Sequence, residues 1–169
     1  MAVLTPFSVK TIREAVNGEL VMFPDELGGE LAIKCGQDEY GYSFLAVLKS
    51  AESGSPYATK VQGEAECLSY GVSWLIEVDR VNSFSRSQEV AESAGSIHLS
   101  KSGPVMRFAG DHRAGFTGMW LDLVKNSPAS HPYDAPATNR WRLWLDEKDR
   151  NNPKADPFLI FPLPPKAKA

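Results

Sequence analysis

Cysteine and histidine are the scarce residues of this chain, with two cysteines (Cys35, Cys67) and three histidines (His98, His112, His131) among 169 residues. Two cysteines allow one disulfide at most, which excludes a small cystine-stapled fold; with no secretory leader they read as reduced, structural thiols. No two histidines stand at the i, i+2 or i, i+4 spacing of a preformed metal site, and neither cysteine has a neighbouring ligand. A metal site would need His98, His112 and His131 to converge from distant segments, with Asp111 or Asp134 as a fourth ligand. The sequence thus gives no reason to expect a metal or cofactor.

Long apolar runs are also missing. Those present are short, such as Leu20 to Phe23 and Phe158 to Phe161, far below the roughly 20 residues of a membrane-spanning helix. The N-terminus lacks a basic stretch followed by an apolar one, so no secretory signal is read and a cytoplasmic location is the default expectation. The G-x-S-x-G elbow, the P-loop, G-x-G-x-x-G and H-E-x-x-H are all absent. Strong positive charge is absent too: net charge is −3 and pI about 5.6, which argues against a nucleic-acid coat or a polybasic membrane binder.

What is present is ordinary globular material. Apolar residues make up 43% and charged residues 23% of 18.6 kDa, and area scaling has such a chain bury about 70% of its unfolded surface. The charge is unevenly spread. Residues 1–90 hold 7 basic and 13 acidic residues, a net of −6, and residues 91–169 hold 11 and 8, a net of +3. A chain of this polarity is suited to associating head to tail or with itself, unless both halves fold into one domain and the charges intermix.

The pattern predicts one short helix and then strands. Thr5 as N-cap, Pro6 at the first helical position and Val9, Ile12 and Val16 at helical spacing predict an N-terminal helix ending near Gly18. Leu20 to Phe23 follows as a strand. Leu31, Ile33 and Cys35 share one face of the next, with Ala32 and Lys34 on the other. Tyr40, Tyr42, Phe44, Ala46 and Leu48 alternate as a long strand. Residues 50–64 read as a loop. Tyr70, Val72, Trp74, Ile76 and Val78 alternate with polar residues as a half-buried strand interrupted only by Leu75. The serine-rich stretch 82–96 reads as a long loop or short exposed helix. Short strands follow at 96–100, 105–109, 117–125, 140–146 and 158–161, and the stretch 126–139, with three prolines, reads as a loop. The expected fold is mainly β: an antiparallel, jelly-roll-like sandwich with one N-terminal helix, or alternatively a closed antiparallel barrel. Residues 1–161 form a single β-rich domain in this reading. Residues 162–169, rich in proline, lysine and alanine, form a disordered tail.

Two constellations carry candidate chemistry. In Asn139-Arg140-Trp141-Arg142-Leu143-Trp144-Leu145-Asp146, a strand places Arg140, Arg142 and Trp144 together on the face opposite Trp141 and Leu143. Tryptophan and arginine side by side are the material of binding hot spots. Gly110-Asp111-His112-Arg113-Ala114-Gly115 reads as a hairpin loop, or as a site in which Asp111 orients His112 as a base with Arg113 beside it and His131 arriving on the proline-rich loop. His98, between Ile97 and Leu99, reads as a surface strand residue. The pairs Glu64/Glu66 and Glu77/Asp79 read as solvated strand faces. The function expected is that of a non-enzymatic, self-associating binding protein that contacts a protein partner, a small molecule or a sugar through the Trp/Arg face. The alternatives are a small enzyme or ligand carrier built around Asp111-His112-Arg113 in a barrel mouth, and a coat- or tail-like assembly subunit.

Overall fold

The computed structural model describes residues 7–24, 29–50, 53–79, 83–111 and 113–162. Among these, the chain forms β1 (Ser8–Thr11), β2 (Leu20–Met22), β3 (Leu31–Gln37), β4 (Tyr42–Lys49), β5 (Tyr57–Gln62), β6 (Glu66–Gly71) and β7 (Leu75–Val78). A short helix, α1 (Gln88–Glu92), precedes β8 (Ile97–Ser100), β9 (Gly103–Gly110), β10 (Met119–Asp122), β11 (Ser127–Ala129), β12 (Ala137–Thr138) and β13 (Trp141–Trp144). α2 (Glu147–Asn151) and β14 (Leu159–Phe161) complete it. The fold is mainly β and sandwich-like: an 11-stranded sheet in the order β1-β6-β2-β3-β4-β5-β9-β10-β11, with β8 joining β9 to β12, and a 3-stranded sheet β14-β13-β7. It is not a closed barrel, because the path ends at β1 and β11, which do not pair with each other. Nor is the large sheet wholly antiparallel: Tyr57 and Ala58 of β5 run parallel to Ala109 and Gly110 of β9.

Two apolar clusters hold these layers together. The larger joins Leu20, Leu31, Ile33, Cys35, Ala46 and Leu48 to Ile97, Met106, Phe108 and Leu121 and, from the small sheet, to Trp141, Leu143, Leu159 and Phe161. The smaller, with Ile12, Ala15, Val21, Phe23, Ala32, Leu45, Val47 and Cys67, lies on the other side of the same strands. Strands β3 and β4 are therefore covered on both faces, and the alternation of their side chains sends successive residues into different cores. Cys35 and Cys67 belong to different clusters and remain free thiols.

Lys34 shows what covering both faces costs. Lys34, on the face opposite Leu31, Ile33 and Cys35, is only 3% exposed. Its Nζ donates to the carbonyls of Ile12 at 2.8 Å, Ala15 at 2.6 Å and Arg13 at 3.3 Å. Burial pushes the ammonium pKa down, and Glu19 nearby opposes that shift. Glu19 itself pairs with Lys10 at 3.0 Å and accepts the Val16 amide. The turn after β1 is thus fixed to the sheet by a buried cation.

That turn replaces the expected N-terminal helix. Ser8–Thr11 pairs with Glu66–Ser69 as a strand, and Thr5 and Pro6 lie outside the described residues. The helical spacing was not a core stripe: Val9 is 67% exposed and Val16 59%, whereas Ile12 is buried. Residues 50–64 are not all loop, since Tyr57–Gln62 pairs with β4; Tyr57, Thr59 and Val61 are residues that favour a pleated strand. The single strand expected over 69–79 is two strands in different sheets. The chain breaks at Gly71 in a left-handed conformation (φ 79°), which glycine adopts at little cost. Beyond the corner, Leu75 opens a new strand opposite Trp144, and Trp74 Nε1 anchors the bend on the Gly18 carbonyl at 2.7 Å. The 126–139 stretch includes the short strands β11 and β12. Helix α2 was not anticipated; one turn is too short to show an apolar period, and Asp146 caps it by accepting the Asp149 amide at 2.8 Å. The tail residues 163–169 lie outside the described residues, and no helix among those described is long and apolar enough to cross a membrane.

Candidate functional site

The small sheet turns the face opposite Trp141 and Leu143 outward. Arg142 stands in register between Glu77 of β7 and Ile160 of β14. Arg140 lies level with Asp79, whose amide bonds the Arg140 carbonyl at 3.2 Å. Together with Arg150 and Pro162 they line a groove of about 680 Å³. One end is built up by α2. Trp144 is buried there rather than presented: its Nε1 donates to Glu77 Oε2 at 3.1 Å, and Arg150 donates from Nε and Nη2 to Glu77 Oε1, both at 3.2 Å. Glu77 is thereby committed to Trp144 and Arg150. Arg140 and Arg142 are exposed, and among the described residues neither makes an ion pair or a side-chain hydrogen bond. Ile160, 53% exposed, supplies an apolar neighbour. The three residues expected to share a face do share it, but Trp144 is buried as a support and only the two guanidiniums are exposed.

The loop around Asp111 is differently employed. Its carboxylate accepts from Thr59 Oγ1 at 2.7 Å and from the Arg113 amide at 3.0 Å, and its carbonyl accepts the amides of Ala114 and Phe116. Asp111 is thus a turn residue that pins the hairpin to β5. His112 lies outside the described residues, and Arg113 is exposed on the turn. With the sheet open there is no barrel mouth for these residues to line, and His131 is not among the partners of Asp111.

The histidines correct the sequence reading further. His98 is 2% exposed, not a surface residue, because β8 lies between β9 and β12 and α1 packs over it. Its Nε2 lies 3.1 Å from both the Ala91 carbonyl and Ser96 Oγ. The carbonyl only accepts, so Nε2 carries the proton, and the Ser96 contact is not a nucleophile–base pair. Nδ1 is buried without a partner. Burial, with smaller contributions from His131 and Arg107, pushes the His98 pKa down. Trp120 stacks edge to face with His98 and with His131, each at 4.8 Å between ring centroids, and His131 continues to Tyr133 at 4.6 Å. The indole therefore stands between the two histidines. Among the described residues no group of three or more histidine, cysteine or acidic side chains is placed to hold a metal ion. Sequence reasoning missed Trp120 and Arg107 in this cluster; neither has any signal beyond its place on a strand. Comparison with family models, with curated proteins and with solved structures returned no match.

Proposed function

We propose that the protein is a non-catalytic binding protein that holds an extended, acidic segment of a protein partner in the groove over β7, β13 and β14. The observation that carries this reading is the pair Arg140 and Arg142, exposed and without an ion pair among the described residues, beside a 680 Å³ groove. Residues two apart on a strand repeat at roughly 6.7 Å, so two guanidiniums here match two carboxylates two residues apart on an extended segment. Ile160 adds apolar contact, and the Trp144–Glu77–Arg150 cluster holds the groove wall rigid. The charge split along the chain favours a second copy as one such partner, since the first 90 residues carry the acidic excess. Two free thiols buried in separate cores suit a reducing compartment such as the cytoplasm.

The test is fluorescence polarisation with a labelled alternating Glu-Thr peptide at low and high salt, beside light scattering of the protein alone. Binding that weakens with salt and is abolished by Arg140→Glu with Arg142→Glu supports the reading. A peptide that does not bind, or binds the double variant equally, refutes it. A salt-sensitive dimer lost in the same variant would make the second copy the partner.

A further inference from the structure

A second hollow, of about 430 Å³, opens where α1, strands β8–β10 and the 131–135 loop meet, and it shares no lining residue with the arginine groove. Its more buried lining includes His98, Pro132, Arg107 and Trp120, and Arg86, Glu92 and Asp134 stand exposed around it. Three features set it apart from a solvated dimple. Arg107 is half-buried, yet its guanidinium makes no ion pair or hydrogen bond with any described residue. Glu92 and Asp134 line the same hollow without pairing to Arg107 or Arg86; among the described residues only Gln88 bonds to either, donating to Glu92 at 2.6 Å. His98 and Trp120, stacked edge to face at 4.8 Å between ring centroids, give the hollow an aromatic wall. A half-buried guanidinium without an acceptor, beside carboxylates that pair with no cation, suits a ligand that carries both an anion and donors.

The polar groups specify the ligand's chemistry. Arg107 and Arg86 require an anionic acceptor. Asp134 and Glu92 require donors. A dianion would meet the two carboxylates, whereas a monoanion with several hydroxyls answers every group at once. We propose that this hollow binds a small hydroxylated carboxylate of the sugar-acid class, its carboxylate on Arg107 and Arg86 and its hydroxyls donating to Asp134 and Glu92. Trp120 supplies the apolar wall on which the carbon skeleton rests. This site does not depend on the arginine groove and stands or falls separately.

The test is a titration of the full chain with D-glucuronate, with acetate (charge alone) and D-glucose (hydroxyls alone) as controls, followed by the histidine ring resonances in NMR. The His98 signal is assigned by its loss in His98→Gln. Glucuronate is expected to shift His98 saturably at concentrations up to about 10 mM, with acetate and glucose showing no saturation there. Arg107→Ala should weaken binding at least about tenfold, the loss of one charge-assisted contact, and Arg140→Ala with Arg142→Ala should leave it unchanged. Only the Arg107 main chain is used in the ladder with Ser96 and Gly95, so the variant should keep its melting temperature; if it does not, Arg107→Gln preserves the aliphatic stem and reads the same loss. Absence of a saturable glucuronate response, an equal response to acetate, or unaltered binding in the Arg107 variants overturns the proposal.

Discussion

Replacing Lys34 by methionine isolates the contribution of a single buried cation. Methionine preserves much of the stem and removes the ammonium. The carbonyls of Ile12 and Ala15 then lose bonds of 2.8 and 2.6 Å, and that of Arg13 loses a weaker one at 3.3 Å. Hydrogen bonds to a charged group contribute about 1.5–3 kcal/mol each, so the two short ones together give about 3–6 kcal/mol. Against this stands the desolvation of the ammonium, which methionine avoids and which the lowered Lys34 pKa reports. The carbonyls are left in a covered turn without a replacement donor, so the loss should dominate, for a net destabilisation of about 3 kcal/mol. At about 2–4 °C per kcal/mol for a chain of this size, the melting temperature should fall by roughly 6–12 °C. Urea unfolding followed by tryptophan fluorescence checks it, with an unchanged slope marking a folded variant. pH supplies an independent reading. Because the folded Lys34 binds its proton less tightly than the unfolded one, the unfolded chain holds more protons as pH approaches the ordinary lysine value of 10.5. The Lys34 contribution to stability should therefore grow with rising pH there, measured as wild type minus variant. A Lys34→Met protein as stable as the wild type, or more so, would refute the assignment of the ammonium as the anchor of the turn.

Stability should fall as pH drops below the ordinary histidine value of 6.5, because His98 resists protonation when folded and the unfolded chain takes up the proton first; His98→Gln should flatten that slope in acid unfolding curves. Both thiols should be inert in the native protein, since burial pushes Cys35 up to about 12 and Cys67 to about 11; a thiol reagent at pH 8 should count neither before denaturation and both after it. Gly110→Ala should destabilise by more than about 1 kcal/mol, as an added Cβ would lie 2.3 Å from the Phe116 carbonyl oxygen and 2.7 Å from the Thr117 carbonyl carbon, read as a lowered urea midpoint. Trp144→Phe should free one oxygen of Glu77 to compete for Arg142 and weaken acidic-peptide binding several-fold in the polarisation assay.

Strand content was legible because alternation is a local property. The faces of β3, the core side of β13 and the strands at 97–100, 103–110 and 159–161 follow from period-two spacing alone. The outward placement of Arg140 and Arg142 follows from the same rule. Trp144 was assigned the right face and the wrong role, because the carboxylate that engages it comes from Glu77, 67 residues away in sequence. His98 was misplaced at the surface, and the burial of Lys34 was not foreseen, for a related reason. Alternation separates two faces, but it does not say whether the second face meets water or another layer.

The sequence by itself determined a mainly β chain, its two separated cysteines, its charge asymmetry and the arginine pair of β13, since each depends on residue type and short-range spacing. Only the tertiary structure decided that the alternating stretch 69–79 turns a corner at Gly71 into a second sheet, and that the large sheet stays open. It alone buried Lys34 under the turn after β1, and it alone brought His98, Arg107 and Trp120 together around one hollow. These outcomes rest on contacts between distant segments, where burial and the demand for hydrogen-bond partners override local preference.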